Sequence, residues 1–185
     1  MPRAIGISVH TGWGACIVVG GSLQKPEIVA NQVIELLPER ERFCYHRAAT
    51  MTSDAAREWL AGVRAMALAR ARIELSPLLR QGAAISVLVA REGDVSDFAT
   101  AVSTHLRIHS AEGFFYRDIF RDACQLPCRV VAPSSLDITR IPKLATKPWA
   151  RDQKLAAAAA WRALHASDSK GRIGEGRVDS DGNPC

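Results

Sequence analysis

Between Ala4 and Gly20 two β-rich runs, about 4–8 and 14–20, flank a centre containing Gly12 and Gly14. Short apolar runs around a glycine-bearing turn predict a β-hairpin. Gly20-Gly21-Ser22 supplies a second turn. Lys25-Pro26 then precedes a third run, Ile28 to Leu37, rich in Val and Ile. Three consecutive strands on short turns form an antiparallel meander. Thr52-Ser53-Asp54 is a cluster of helix N-cap residues, and a helix is expected from there to about Leu75. Trp59, Val63 and Met66 recur at helical spacing as its apolar stripe. Arg57, Arg64 and Arg72 fall on another side and read as a solvated face.

Ala84 to Ala90 is a short apolar run bounded by Gly82 and Glu92-Gly93, the pattern of a buried parallel strand. Ser96 to about Cys124 is helical in pattern, with a break expected near Ser110 to Gly113. Residues 128–132 give another buried strand. Pro142 and Pro148 bracket a basic loop, and a last helix is expected from about Ala150 to His165. Its run Ala156 to Ala160 favours helix strongly. The domain is therefore read as 1–165. Residues 166–185, rich in Gly, Ser and Asp, read as a disordered tail. A meander followed by two crossover units predicts an α/β fold: a five-stranded mixed sheet in the order 3-2-1-4-5, flanked by helices.

Composition changes this picture little. With 48% hydrophobic and 23% charged residues over 185, the chain falls among ordinary globular domains. No run of about 18 apolar residues occurs, so no membrane span is expected. His10, Thr11 and Gly12 interrupt the apolar run behind Met1-Pro2-Arg3, which favours a buried hairpin over a signal peptide. Five scattered cysteines without a zinc-type spacing read as small buried hydrophobes in a reducing cytoplasm. The net charge of +5 slightly favours a nucleic-acid partner.

Gly6-Ile7-Ser8, Thr11-Gly12-Trp13-Gly14, Gly20-Gly21 and the third strand together resemble the start of the crossover-junction (Holliday-junction) resolvases, within the ribonuclease H-like superfamily. Element order extends the resemblance over residues 4 to 165, and motif similarity covers about 5 to 35. The resemblance implies DNA or RNA as partner and two divalent ions, Mg or Mn, held by four carboxylates. One carboxylate lies on the first strand, one near the end of the fourth, and two lie three residues apart on the last helix. Hard cations need such oxygen ligands to clamp attacking and leaving oxygens. Here Ser8 stands in the first place, Glu92 fits the second, Asp152 matches the third and Leu155 occupies the fourth. The resemblance also places Ser8, His10, Glu92, Glu112 and Asp152 in one cleft.

Other residues add candidate chemistry. His10 in the hairpin loop is a candidate nitrogen ligand or general base, or an exposed loop histidine. His105, His109 and Glu112 are spaced i, i+4, i+7, a metal-ligand spacing on one continuous helix. The break expected at Ser110 to Gly113 would split that set. His46-Arg47 reads as loop polarity. Arg140, Lys143, Lys147, Arg151 and Lys154, with Trp149 among them, form either a phosphate-binding and base-stacking segment or a solvated loop with a packing Trp. No Walker loop and no Gly-x-Ser-x-Gly elbow occurs. Two functions follow. One is a nucleic-acid phosphodiester hydrolase with an altered metal site, acting through Asp152, Glu112, His109 and His10, with Glu92, Glu112 and Asp152 on the ion. The other is a non-catalytic relative that binds nucleic acid or protein.

Overall fold

The β-rich runs at the start of the chain pair as their alternation demands. β1 (Arg3–His10) and β2 (Trp13–Gly21) form a hairpin, and β3 (Pro26–Glu35) adds antiparallel to β2. The computed structural model describes residues 2–22, 25–94, 97–141 and 148–171. β4 (Ala83–Val89) lies parallel to β1, and β5 (Cys128–Val131) parallel to β4. The sheet order is β3-β2-β1-β4-β5, as the element pattern predicts. Two-residue alternation divides β1 between two cores. Ile5 and Ile7 pack under α2 (Ser53–Leu79) and α4 (His105–Cys124), whereas Ala4 packs under α5 (Arg151–Gly171). Among the described residues no helix is long and apolar enough to cross a membrane.

α5 sits very close to β1. A Cβ built on Gly6 would fall 1.9 Å from the Ala156 carbonyl oxygen, so only glycine fits there. Ala156 to Ala160 are all buried and bring the helix backbone down onto the sheet.

Several local expectations are corrected. The break in the 96–124 segment lies at Val102 to Thr104, not at Ser110 to Gly113. It separates a short α3 (Phe98–Ala101) from a continuous α4. Thr104 is the reason: its side chain accepts from the Arg107 N–H and starts the helix afresh. Gly113 is simply tolerated inside α4, at a cost of about 1 kcal/mol. Residues after the third strand include a short helix, α1 (Cys44–Ala48), in place of a polar loop. The buried stripe of α2 runs through Ala56, Val63, Ala67, Ala71 and Leu75, while Met66 is exposed. Nor is the arginine face of α2 uniformly solvated, because Arg64 pairs with Asp122 on α4. Finally, α5 continues past His165 to Gly171. The rest of the expected tail, 172–185, lies outside the described residues.

The close approach at Gly6 is directly testable. Gly6→Ala should lower stability by about 3 kcal/mol, because backbone must move to admit the methyl group. Gly62→Ala, in α2 with open space around it, should raise stability by up to ~1 kcal/mol. Urea unfolding of both variants checks this; equal effects at the two sites would contradict the packing described.

Candidate functional site

β1, β3, β4 and β5 run in one direction, so His10, Glu35, Val89 and Val131 end at one edge of the fold. Ligand sites of such sheets form outside these carboxyl ends. Two groups of polar side chains lie there, on opposite faces of the sheet.

The first group is on the α5 face. Asp152, in the first turn of α5, stands one helical turn before Ala156, and Ser8 stands two residues after Gly6. The Gly6–Ala156 contact thereby sets Asp152 against Ser8. The Ser8 hydroxyl donates to Asp152 Oδ1 at 3.3 Å, and His10 Nε2 lies 2.9 Å from the same oxygen. The His10 ring is stacked on Trp13, with centroids 4.2 Å apart and planes 6° from parallel. These two residues are hairpin partners on either side of the Thr11-Gly12 turn, where Gly12 takes φ +80°. Ser8 is buried, while His10 and Asp152 are partly open to solvent. Leu155, one turn on, is buried in the α5-face core.

The second group is on the α4 face. Continuity of α4 lines up His105, His109 and Glu112, and α1 brings His46 to them. Glu112 is completely buried. Its Oε1 accepts from His46 Nδ1 at 2.9 Å and from the His46 backbone N–H at 3.4 Å. His109 Nδ1 lies 3.8 Å from Oε2, which itself has no hydrogen-bond partner. The imidazole centroids are 5.2 Å (46–105), 4.7 Å (46–109) and 4.4 Å (105–109) apart, all with steeply inclined planes. One potential ligand atom from each of the three rings lies within 4.8 Å of the others, the one such group of three among the described residues. Beneath it, the Tyr116 hydroxyl donates to the Arg42 carbonyl at 2.7 Å and sits 3.9 Å from Cys44 Sγ. Burial, reinforced by the nearby Glu112 charge and partly offset by the Tyr116 contact, pushes the Cys44 thiol up to about 12. Burial likewise pushes the Tyr116 phenol well up. Both therefore stay neutral.

The sequence expectation of one cleft is thus corrected. Ser8, His10 and Asp152 come together, but Glu112 lies across the sheet from them because it rides on α4 rather than α5. Glu92 is exposed on the segment after β4. The buried Arg117 of α4 holds that segment by donating to the carbonyls of Arg91 and Gly93, at 3.3 and 2.6 Å. Glu92, Glu112 and Asp152 do not bring their carboxylate oxygens within 4.8 Å of one another. Trp149 packs against the α5-face core rather than standing free as a stacking platform. Arg151 is exposed and Lys154 partly buried at the start of α5, and Arg140 ends a short 3-10 turn (Ile138–Arg140). Lys143 and Lys147 lie outside the described residues. The member of these two groups that reads as loop polarity in the sequence is His46: α1 has only five residues, too few for a periodic signal.

No family description and no curated protein matches the chain. Solved structures do. The structure titled "T. thermophilus RuvC in complex with Holliday junction substrate" superposes with a TM-score of 0.50 at 14% identity, covering 91% of this chain and 97% of that one. A further Thermus thermophilus RuvC structure gives 0.46 at 14% identity, with 90% and 96% covered. With the observed sheet order, the likeness to the first of these shows a ribonuclease H-like fold.

The burial of position 155 separates a core residue from a missing metal ligand. Leu155→Asp should cost about 4 kcal/mol, since it buries a carboxylate with no partner and removes packed apolar surface. Magnesium or manganese should not restore the loss, as read from thermal midpoints with and without the ion. A midpoint that rises selectively with either ion in this variant would show that position 155 faces an ion site.

Proposed function

We propose that this chain is a nucleic-acid-binding protein built on the ribonuclease H-like fold, without a two-metal hydrolytic centre. One observation carries the reading. Where the resemblance calls for four carboxylates, only Glu92 and Asp152 are acids; Oδ1 of Asp152 is taken up by Ser8 and His10, and among the described residues no group of three potential ligand residues gathers around it. Hard divalent ions require several oxygen ligands. A hydroxyl, an imidazole, one carboxylate, an exposed Glu92 on a separate segment and a buried leucine are too poor a donor set to hold two of them.

Support for a nucleic-acid partner comes from charge and position. The chain carries +5 overall, Arg91 after β4 and Arg151 at the start of α5 are exposed, and Lys143 and Lys147 precede Arg151 in the sequence. The stacked His10–Trp13 pair adds a partly open aromatic surface at the carboxyl edge of the sheet. Cations interleaved with aromatics suit a phosphate backbone and unstacked bases. The fold is similar to that of T. thermophilus RuvC in complex with a Holliday junction substrate. A second reading, a hydrolase with an altered metal centre, draws on the three imidazoles of the α4 face.

Fluorescence anisotropy with short duplex and four-way-junction DNA separates the two. Binding should weaken steeply with salt, and each lost phosphate contact should lower the log–log slope by about 0.9. Lys143→Glu combined with Lys147→Glu should weaken binding at least tenfold and reduce that slope. Asp152→Asn should leave binding unchanged, and no cleavage should appear with magnesium or manganese. Absence of binding by folded protein at low salt contradicts the proposal. Manganese-dependent cleavage that disappears in Asp152→Asn would replace it with the hydrolase.

A further inference from the structure

We propose that His46, His105 and His109 form a site for one borderline transition-metal dication of the zinc class, with Glu112 as the carboxylate that orients two of the three rings. The proposal stands independently of nucleic-acid binding, since it concerns the opposite face of the sheet.

Two observations point the same way. The first is geometric: three imidazoles from two helices meet with ligand atoms within 4.8 Å of one another and with ring planes inclined by 61° to 85°. Rings that merely pack would not need their nitrogens gathered. Helix capping does not explain His105, because Thr104 already caps α4. Favourable dipole interactions do not explain it either, since the first turn of a helix favours acids, not groups that carry positive charge. The second observation is Glu112. It is 0% exposed, yet Oε2 has no hydrogen bond, with His109 Nδ1 3.8 Å away. A buried carboxylate with an unpaired oxygen is costly unless positive charge lies close by.

A cation held by the three rings supplies that charge. His46 donates from Nδ1 to Glu112 Oε1, which fixes its tautomer and leaves Nε2 with its lone pair free for a metal. Closing the His109 to Oε2 gap by about 1 Å would give the second oxygen an ordinary hydrogen bond and free the other nitrogen of that ring. One carboxylate then backs two histidine ligands, an arrangement common around bound metals. Imidazole ligands select zinc, cobalt, nickel or copper over magnesium and calcium. Three protein ligands leave a fourth position, and the exposure of His105 and His109 leaves it open to water or a small anion. Cys44 is not among the ligand atoms gathered within 4.8 Å; it is buried and meets the Tyr116 hydroxyl at 3.9 Å. The ion would also join α1, a five-residue helix without a side-chain N-cap, to the start of α4.

The test uses the untagged full chain titrated with cobalt and followed by visible absorption, with zinc as competitor. One equivalent of cobalt should give the intensified d–d bands of a four-coordinate nitrogen site, and zinc should displace it. His105→Gln and His109→Gln, both at exposed positions, should each weaken cobalt affinity at least tenfold while circular dichroism stays unchanged. Glu112→Gln should weaken it by roughly 10- to 100-fold with the one-to-one stoichiometry kept. Should that variant fail to fold, the two exposed histidine variants decide alone. Cobalt bands that persist in the His105→Gln/His109→Gln double variant, a thiolate charge-transfer band, or no four-coordinate spectrum at all overturns the site.

Discussion

The backbone of α5 rests on β1 at a point where glycine is required, 1.9 Å separating the Ala156 oxygen from where a Gly6 Cβ would stand. Much of the site follows from this contact by simple periodicity. Asp152 precedes Ala156 by one helical turn and Ser8 follows Gly6 on the same strand face, so the two must meet. Leu155 is turned about 100° from Ala156 on the helix and enters the core with Val87 and Val89. The alanine run that permits the close approach thus also determines which residues of α5 reach the polar edge. At that edge Ser8 and His10 both meet Asp152 Oδ1.

Alternation along β1 imposes the second constraint. Neighbouring residues point to opposite faces, so groups anchored to α5 and to α4 are kept apart by the sheet even when both lie at its carboxyl edge. Ser8, His10 and Asp152 share one face. Glu112 and the three histidines share the other. The two groups also differ in chemistry. The first combines one carboxylate with a hydroxyl and a stacked imidazole. The second concentrates nitrogen donors around a buried acid and favours a softer cation. The ribonuclease H-like fold therefore carries, in this chain, one polar group on each face of its carboxyl edge.

Legibility in the sequence followed the range of the interactions. The strands and their order were readable because alternation, glycine turns and apolar runs are local signals, and the crossover rules then leave few topologies. The meeting of Ser8, His10 and Asp152 was readable through the resemblance, which supplied the long-range pairing of β1 with the last helix. Glu112 was misplaced for want of such a guide. Its partner His46 is 66 residues away in sequence, and an acid in an amphipathic helix looks solvent-facing. The restart of α4 was written in Thr104 with Arg107, an N-cap weaker to the eye than Ser110 and Gly113 yet sufficient in the fold. His46 gave no periodic signal at all, because a five-residue helix held by tertiary packing has too few turns to show one.

The central claim is that the sheet separates a metal-poor polar edge from a metal-binding histidine cluster. Anomalous diffraction from crystals of the chain soaked with manganese and, separately, with zinc tests it most directly. The account predicts a zinc peak among His46, His105 and His109, within bonding distance of three ring nitrogens, and no manganese peak at Asp152. Manganese bound at Asp152, with Glu92 or a backbone oxygen completing its shell, and no zinc at the histidines, would contradict it.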